Sequence, residues 1–395
     1  MGWPKLQWDG ERTGPLKGLK VVDMASVVLG PFATLQLADL GAEVIKIENG
    51  DSAAGGDMMR RAGASPTGDI GPIYTALNRN KKSISLNAQK PEDRAMLLEL
   101  LADADVFIHN VRMAGMERLD LGYEAVRAMN PEIIYVHCAG YGSGGRYAPL
   151  QAFDDLIQAA SGFAALSEIR DGQRPQYSPS LVADKVSGLF AGQAVMAAYI
   201  ARQNGAGGQF VEVPMLECFT WFNMVENLWG ETFLPPMGKL AYTRSVNPRR
   251  RPYPTADGYI AIVPYNDTQW SRFFELAGRP GVFEDPRFST YEERTKNTGA
   301  LYAIIEELMG TRTTADWLVL LAENNIPAMQ YNRMADVLVD PHLSDVDFFE
   351  EREAKAGYRY RSMRHPVRYS ETPASHFADP PSSDADGAEI REQLR

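Results

Sequence analysis

The stretch Leu19-Lys20-Val21-Val22-Asp23-Met24, a helical pattern over residues 32–40, and then Glu43-Val44-Ile45-Lys46-Ile47-Glu48 together decide the fold. Two short runs rich in β-branched residues flank an apolar segment of helix length, which is the pattern of a βαβ unit. The pattern recurs downstream. Residues 83–86 read as a strand, 92–101 as a helix, and 106–109 and 133–138 as further strands. Strands alternating with helices predict an α/β fold with a doubly wound parallel sheet over residues 16 to about 145.

Beyond that sheet the periodicity predicts helices over 155–166 and 186–202, the second ended by Gly205-Ala206-Gly207-Gly208. A strand over 209–213 and an aromatic-rich helix over 216–229 follow. From Gly230 to Pro254 the composition shifts to Pro, Gly and Arg, as in a linker or a site loop. A strand over 259–264 and helices over 270–277, 300–309 and 315–323 predict a small α+β unit. The polar tail over 380–386 is expected to be loosely ordered.

At roughly 150 residues per domain, 395 residues predict two or three folding units. Lys and Arg number 40 against 51 Asp and Glu, a net charge of −11, so the surface as a whole is unsuited to nucleic acid or anionic membrane. A polyanionic ligand would need a local cluster of cations. The longest uncharged run, residues 186–201, is shorter than the roughly 20 residues a spanning helix needs, so no membrane partner is expected. Residues 1–14 carry no signal-peptide core, and Leu6 stands where a myristoylation motif needs Ser or Thr, so the expected compartment is the cytoplasm. The two cysteines, Cys138 and Cys218, lie in apolar surroundings and suggest no disulfide. The five histidines, at 109, 137, 342, 365 and 376, have no metal-binding spacing, so no metal is expected.

Gly140-x-Gly142-x-x-Gly145 matches a dinucleotide fingerprint in letters. Arg146 to Pro149 interrupts the helix start that the fingerprint requires, and the first βα loop, Ser26-Val27-Val28-Leu29-Gly30-Pro31, has one glycine. The match reads as a turn, and no nicotinamide cofactor is expected. Neither a Gly-x-Ser-x-Gly elbow nor a phosphate-binding P-loop occurs, which leaves carboxylates as the candidate nucleophiles. Asp184, in Ser180-Leu181-Val182-Ala183-Asp184-Lys185-Val186-Ser187-Gly188, reads from position alone as a helix cap. The same placement would set helix-start N–H groups beside an oxyanion formed at that carboxylate. The run Arg249-Arg250-Arg251 reads either as a solvated turn or as a guanidinium clamp for a substrate carboxylate.

Several segments together resemble the family III CoA transferases, the CaiB/BaiF family. They are Pro15-Leu16-Lys17-Gly18-Leu19-Lys20-Val21-Val22-Asp23, Gly30-Pro31, Leu40-Gly41-Ala42-Glu43-Val44-Ile45-Lys46-Ile47-Glu48, Asn80-Lys81-Lys82-Ser83-Ile84 and Asp105-Val106-Phe107-Ile108-His109-Asn110. Asn130-Pro131-Glu132-Ile133-Ile134-Tyr135, Gly140-Tyr141-Gly142, Phe153-Asp154, the Asp184 segment, Pro252-Tyr253-Pro254-Thr255-Ala256-Asp257-Gly258-Tyr259 and Asp340-Pro341-His342 extend the likeness over nearly the whole chain.

The resemblance implies an acyl-CoA:carboxylate CoA transferase in which Asp184 is the nucleophile, forming aspartyl anhydride and aspartyl-CoA thioester intermediates with CoA as co-substrate. It implies a CoA groove at Val28, Leu29, Leu86, Asn87, Asn110, Val111, Arg112, Arg118 and Phe153; Arg249, Arg250 and Arg251, read from the residues and not from the resemblance, are the candidates to meet the substrate acid. Val28 and Asn49 stand where family members carry glutamine and arginine, so Arg60, Arg61, Lys81, Lys82, Arg112 and Arg118 are the cations left to compensate. It also implies an interlocked homodimer. The large domain would begin with residues 1–205, followed by a linker over 206–227, a small α+β domain over 228–325, and a linker and C-terminal return to the large domain over 326–395. The α-methylacyl-CoA racemases share this fold but need a histidine where Phe153 stands, which makes racemization the second reading. A CoA-binding protein without activity is the third.

Overall fold

The computed structural model describes residues 12–51 and 55–394. The targeting signals sought near the N-terminus fall on residues outside them through residue 11. In chain order the first unit holds β1 (Lys20–Met24), α1 (Leu29–Asp39), β2 (Glu43–Glu48), α2 (Pro72–Leu77), β3 (Lys81–Ser85), α3 (Pro91–Ala102), β4 (Val106–His109), α4 (Met113–Arg118), α5 (Tyr123–Met129), β5 (Ile134–Ala139) and α6 (Asp154–Ala160). After α7 (Ala165–Asp171) come α8 (Val182–Ala201), β6 (Gln209–Pro214) and α9 (Met215–Asn227).

β1 to β6 form one six-stranded parallel sheet in the order β3-β2-β1-β4-β5-β6. Val22 pairs with Ile45 on one side and with Phe107 on the other, so the apolar runs meet in register. Val22, Ile47, Ile84, Leu97, Phe107 and Tyr135 are buried together in its core. The order reverses between β1 and β4, and in open parallel sheets the crevice beyond the strand ends at such a switch point is the usual ligand site.

Contacts divide the chain into two units. One comprises the residues up to Ser161, Tyr177–Phe222 and Ser344 onward; the other comprises Gly162–Gln176 and Asn223–Leu343. The second unit has a three-stranded sheet of β7 (Tyr253–Pro254), β8 (Tyr259–Ile262) and β9 (Ala328–Gln330), with α10 (Asp267–Leu276), α11 (Tyr291–Lys296), α12 (Thr298–Met309) and α13 (Thr314–Glu323). Ile260, Phe273, Phe274, Phe288, Ile305 and Trp317 make its core.

Three sequence expectations need correction. Residues 206–227 are not a linker: β6 closes the large sheet against β5, with Val211 opposite Val136, and α9 follows directly. The long helix expected over 155–166 stops at Ala160, where Gly162 takes a left-handed φ of +77°. The tail is ordered as well. β3 is an edge strand whose N–H groups need acceptors, and Asp386 and Asp384 accept from Ser83 and Ser85 at 2.8 Å each.

Candidate active site

The crevice at the switch point is built from the loops after β1 and β4. Asn110, just past β4, brackets Ser26: its Oδ1 accepts the Ser26 N–H at 3.2 Å and its Nδ2 donates to the Ser26 carbonyl at 3.0 Å. The next residue, Val27, has a φ of +73°, which a β-branched side chain strongly disfavours. Its N–H donates to both Asp57 carboxylate oxygens, at 3.2 and 3.3 Å, and these bonds hold the strained turn.

α8 carries Asp184 toward this crevice. A Cβ on Gly188 would lie 2.8 Å from the Leu29 carbonyl oxygen and 3.1 Å from Phe32, so only glycine lets α8 lie this close to the first turn of α1. Gly192, one turn on, faces Ala33 and Gln36, so the two helices run in the same direction. Asp184 lies one turn before Gly188 on the same face, about 6 Å farther along the axis at 1.5 Å per residue, and therefore extends beyond the start of α1.

The capping expectation for Asp184 is corrected. Leu181 is the N-cap, and Asp184 lies inside the first turn. The acceptor for the Asp184 N–H is Asp154 Oδ1 at 3.0 Å, from the start of α6. Asp154 Oδ2 accepts from Gln158 Nε2 at 2.5 Å, and Gln158 Oε1 accepts the Ser178 N–H at 2.8 Å, fixing the segment that enters α8. Asp154 and Gln158 are both buried. Because Asp154 does the capping, the Asp184 carboxylate has no hydrogen-bond partner among the described residues. Burial, and then the like charge of Asp154, push its carboxyl up to about 7. The Phe153-Asp154 match assigns Asp154 no role of its own; its signal is the Asp-x-x-x-Gln spacing that lets the two side chains bond along one helix face.

Around the crevice, Asn110, half-exposed Val111 and exposed Arg112 follow β4 directly, and exposed Arg118 ends α4. Phe153 is 63% exposed beside Asp154. The side chains of Val28, Leu29 and Leu86 are buried, so only their backbone groups could face a ligand. Asn87 engages Asp93 and Asp51 through its N–H and its amide.

Two of the proposed cations are excluded by burial. Arg60 has no exposed surface: its guanidinium bonds Glu48 at 2.5 and 2.8 Å and lies 3.9 Å from the centre of the Tyr74 ring. Burial alone would raise the Glu48 carboxyl, but the Arg60 hydrogen bonds and the charge of Lys46 hold it down at about 2. Lys81 is buried against Asp23, at 3.3 Å, and Asn78, at 2.8 Å. Desolvation outweighs the attraction of Asp23 and lowers its ammonium to about 8. Lys82 pairs with Glu389 at 3.0 Å, and Arg61 is exposed.

The arginine run lies in the second unit, and two of its members share one carboxylate: Arg249 and Arg251 bond Glu306 at 2.8 and 2.7 Å. Both cysteines are free; burial pushes the Cys218 thiol up to about 11 and Cys138 higher still, so neither is an activated thiolate. Gly140 to Gly145 forms a turn anchored by Glu217, which accepts the Gly142 N–H at 2.9 Å, and no helix begins there. Among the described residues no group of His, Cys, Asp or Glu is placed to hold a metal ion, and no helix is long and apolar enough to cross a membrane.

Comparison with known proteins agrees with this architecture. The chain is 30% identical to the succinate–glutarate CoA-transferase of Agrobacterium fabrum, over 97% of this chain and 96% of that one. It is also 30% identical to human succinyl-CoA:glutarate CoA-transferase, over 95% and 85%. The solved structure of a CaiB/BaiF family protein from Brucella suis superposes with a TM-score of 0.81 at 30% identity, covering 97% of this chain and all of that one. The model of CoA-transferase family III matches residues 16–387, and the chain belongs to that family.

Proposed function

We propose that the protein moves CoA from an acyl-CoA to a free carboxylic acid and that Asp184 takes the acyl group covalently. The observation that carries this reading is the Asp184 carboxylate itself: half-buried, without a hydrogen-bond partner among the described residues, and pushed up to about 7 at the start of α8. A carboxylate partly withdrawn from water and more basic than usual is a better nucleophile once ionised.

A carboxylate oxygen of Asp184 attacks the thioester carbonyl carbon, the C–S bond breaks, and CoA leaves as thiolate with a mixed anhydride behind it. The thiolate then attacks the aspartyl carbonyl, releasing the donor acid and leaving an aspartyl-CoA thioester. The acceptor carboxylate attacks that thioester and expels the thiolate, giving a second anhydride. Return of the thiolate to the acceptor's acyl carbon forms the new acyl-CoA and restores Asp184. Each step exchanges one activated acyl bond for another, so no ATP is required.

In this reading the loops 26–29 and 110–112 and the cations Arg112 and Arg118 hold the CoA phosphates, with backbone donors from Val28 and Leu29, while the Leu86 N–H is spent on the Glu48 carbonyl at 2.8 Å. Asn87 and Asn110 order the groove's edges, and Phe153 offers a flat apolar surface. The relatives named for succinate and glutarate favour a short-chain acid as one co-substrate. A homodimer fits the exposed apolar residues Trp221 and Val225 on α9. Phe153 gives a two-base racemase no imidazole at this position.

The test is CoA exchange between acyl-CoAs and a panel of acids, read by mass spectrometry, for the wild type and Asp184→Ala. Hydroxylamine should trap the wild-type intermediate on the peptide containing Asp184. Transferase activity retained by Asp184→Ala overturns the proposal.

A further inference from the structure

The second unit contains a cleft of about 500 Å³. That size suits a small organic ligand. Ile262, Leu301 and Ile305 contribute apolar surface to it, and Trp229, Tyr242 and Trp270 add aromatic faces.

Its charges are uneven. Four arginines line it, and two are neutralised: Arg251 by Glu306, and buried Arg294 by Asp267. Arg244 and Arg250 have no carboxylate partner among the described residues. Arg244 is oriented instead by neutral groups, its Nε donating to the Tyr302 hydroxyl at 3.1 Å and its guanidinium also bonding the Tyr242 side chain, so its charge is not neutralised. Arg250 is exposed on the same cleft.

The aromatic side is preorganised. Trp229 has a φ of +42° and Ala241 a φ of +75°, both in the left-handed region, at either end of a segment pinched where a Cβ on Gly230 would lie 2.4 Å from the Gly238 backbone. Buried Asn227 ties its base, accepting the Ala241 N–H on its carbonyl at 2.8 Å and the Tyr242 N–H on Oδ1 at 3.1 Å. The result sets the Trp229 and Tyr242 rings 4.7 Å apart. Backbone strain held in this way is concentrated at ligand clamps.

We propose that this cleft binds a carboxylate carried on a flat apolar body, the carboxylate held by Arg244 and Arg250 and the body packed against Trp229, Tyr242 and Trp270. The working guanidiniums are then Arg244 and Arg250, and not the continuous run Arg249 to Arg251. Identifying this ligand as the acid co-substrate rests on the transferase reading; binding of the anion does not.

The probe is phenylacetate, titrated against the full-length protein by saturation-transfer NMR, with neutral phenylacetamide as its isostere. Phenylacetate should bind, and the amide should bind at least about tenfold more weakly, because the charged hydrogen bonds are lost. Arg250→Gln and Arg244→Gln should each weaken phenylacetate by roughly 10- to 100-fold. Arg249→Gln and Asp184→Ala should bind it as the wild type does. Arg250 is exposed, so its variant tests the site even if Arg244→Gln lowers the thermal midpoint. Equal binding of acid and amide, no binding of either, or unchanged affinity in Arg250→Gln overturns the proposal. Phenylacetate binding in a protein that transfers no CoA would remove the transferase reading and leave the cleft standing.

Discussion

Replacing Asp184 by Asn should stabilise the protein, and the gain should grow with pH. The Asp184 carboxyl is pushed up to about 7 in the folded chain and returns to about 3.9 when unfolded. Between those values the folded state holds a proton that the unfolded state has released, so wild-type stability falls as pH rises. The penalty is negligible below pH ~4 and complete above pH ~7. Three pKa units at about 1.36 kcal/mol each set a ceiling of about 4 kcal/mol. Of this, roughly 2 to 3 kcal/mol accrues between pH 5 and pH 8 by linkage. Solvent reaches one edge of the half-buried carboxylate, so about 1 to 2 kcal/mol is the expected difference. The assay is denaturant unfolding of wild type and Asp184→Asn at pH 5 and pH 8 at one protein concentration. Titration of the groups that do not interact with Asp184 cancels in the double difference. A stability gain that is the same at both pH values, or larger at pH 5, refutes the argument that burial and Asp154 raise this carboxyl.

Gly188→Ala should cost about 1 to 3 kcal/mol and lower CoA exchange, because its Cβ meets the Leu29 carbonyl oxygen at 2.8 Å, whereas Gly192→Ala, with nothing closer than 3.5 Å, should be neutral or gain a few tenths; thermal unfolding and exchange rates of the pair check this. Arg60→Met should destabilise by about 3 to 5 kcal/mol by leaving Glu48 buried without its partner, while Arg112→Met and Arg118→Met should leave stability within about 0.5 kcal/mol and raise the KM for acyl-CoA; an unchanged KM in both exposed variants removes them from the groove.

The βαβ reading was possible because Val21-Val22, Val44-Ile45 and Val106-Phe107-Ile108 are continuous apolar runs, as strands buried on both faces must be. The place of β6 was not readable. Its residues alternate as a strand, but pairing with β5 brings together segments separated by some seventy residues, which local periodicity does not encode. Arg60 and Lys81 were misread for a related reason. A cation in a sequence looks solvated until the fold sets Glu48 or Asp23 against it, and only the parallel register aligns Asp23 with Lys46 on one sheet face. Asp184 stood out through its family resemblance, while its own position argued for a cap. Asp154 showed only in the structure, as the residue that does that capping.

The sequence by itself determined that residues 16 to about 145 alternate strand and helix, that the chain is acidic, and that its motifs resemble a CoA-transferase family, because periodicity, composition and motif spacing are local properties. Tertiary structure decided which charges are available for chemistry. It closed Glu48 onto Arg60 and Glu306 onto Arg249 and Arg251, and it left Asp184, Arg244 and Arg250 without partners of opposite charge among the described residues. The physical reason is that a charge acquires its proton affinity and its reach from neighbours within a few ångströms, and those neighbours are set by packing between elements far apart in the chain.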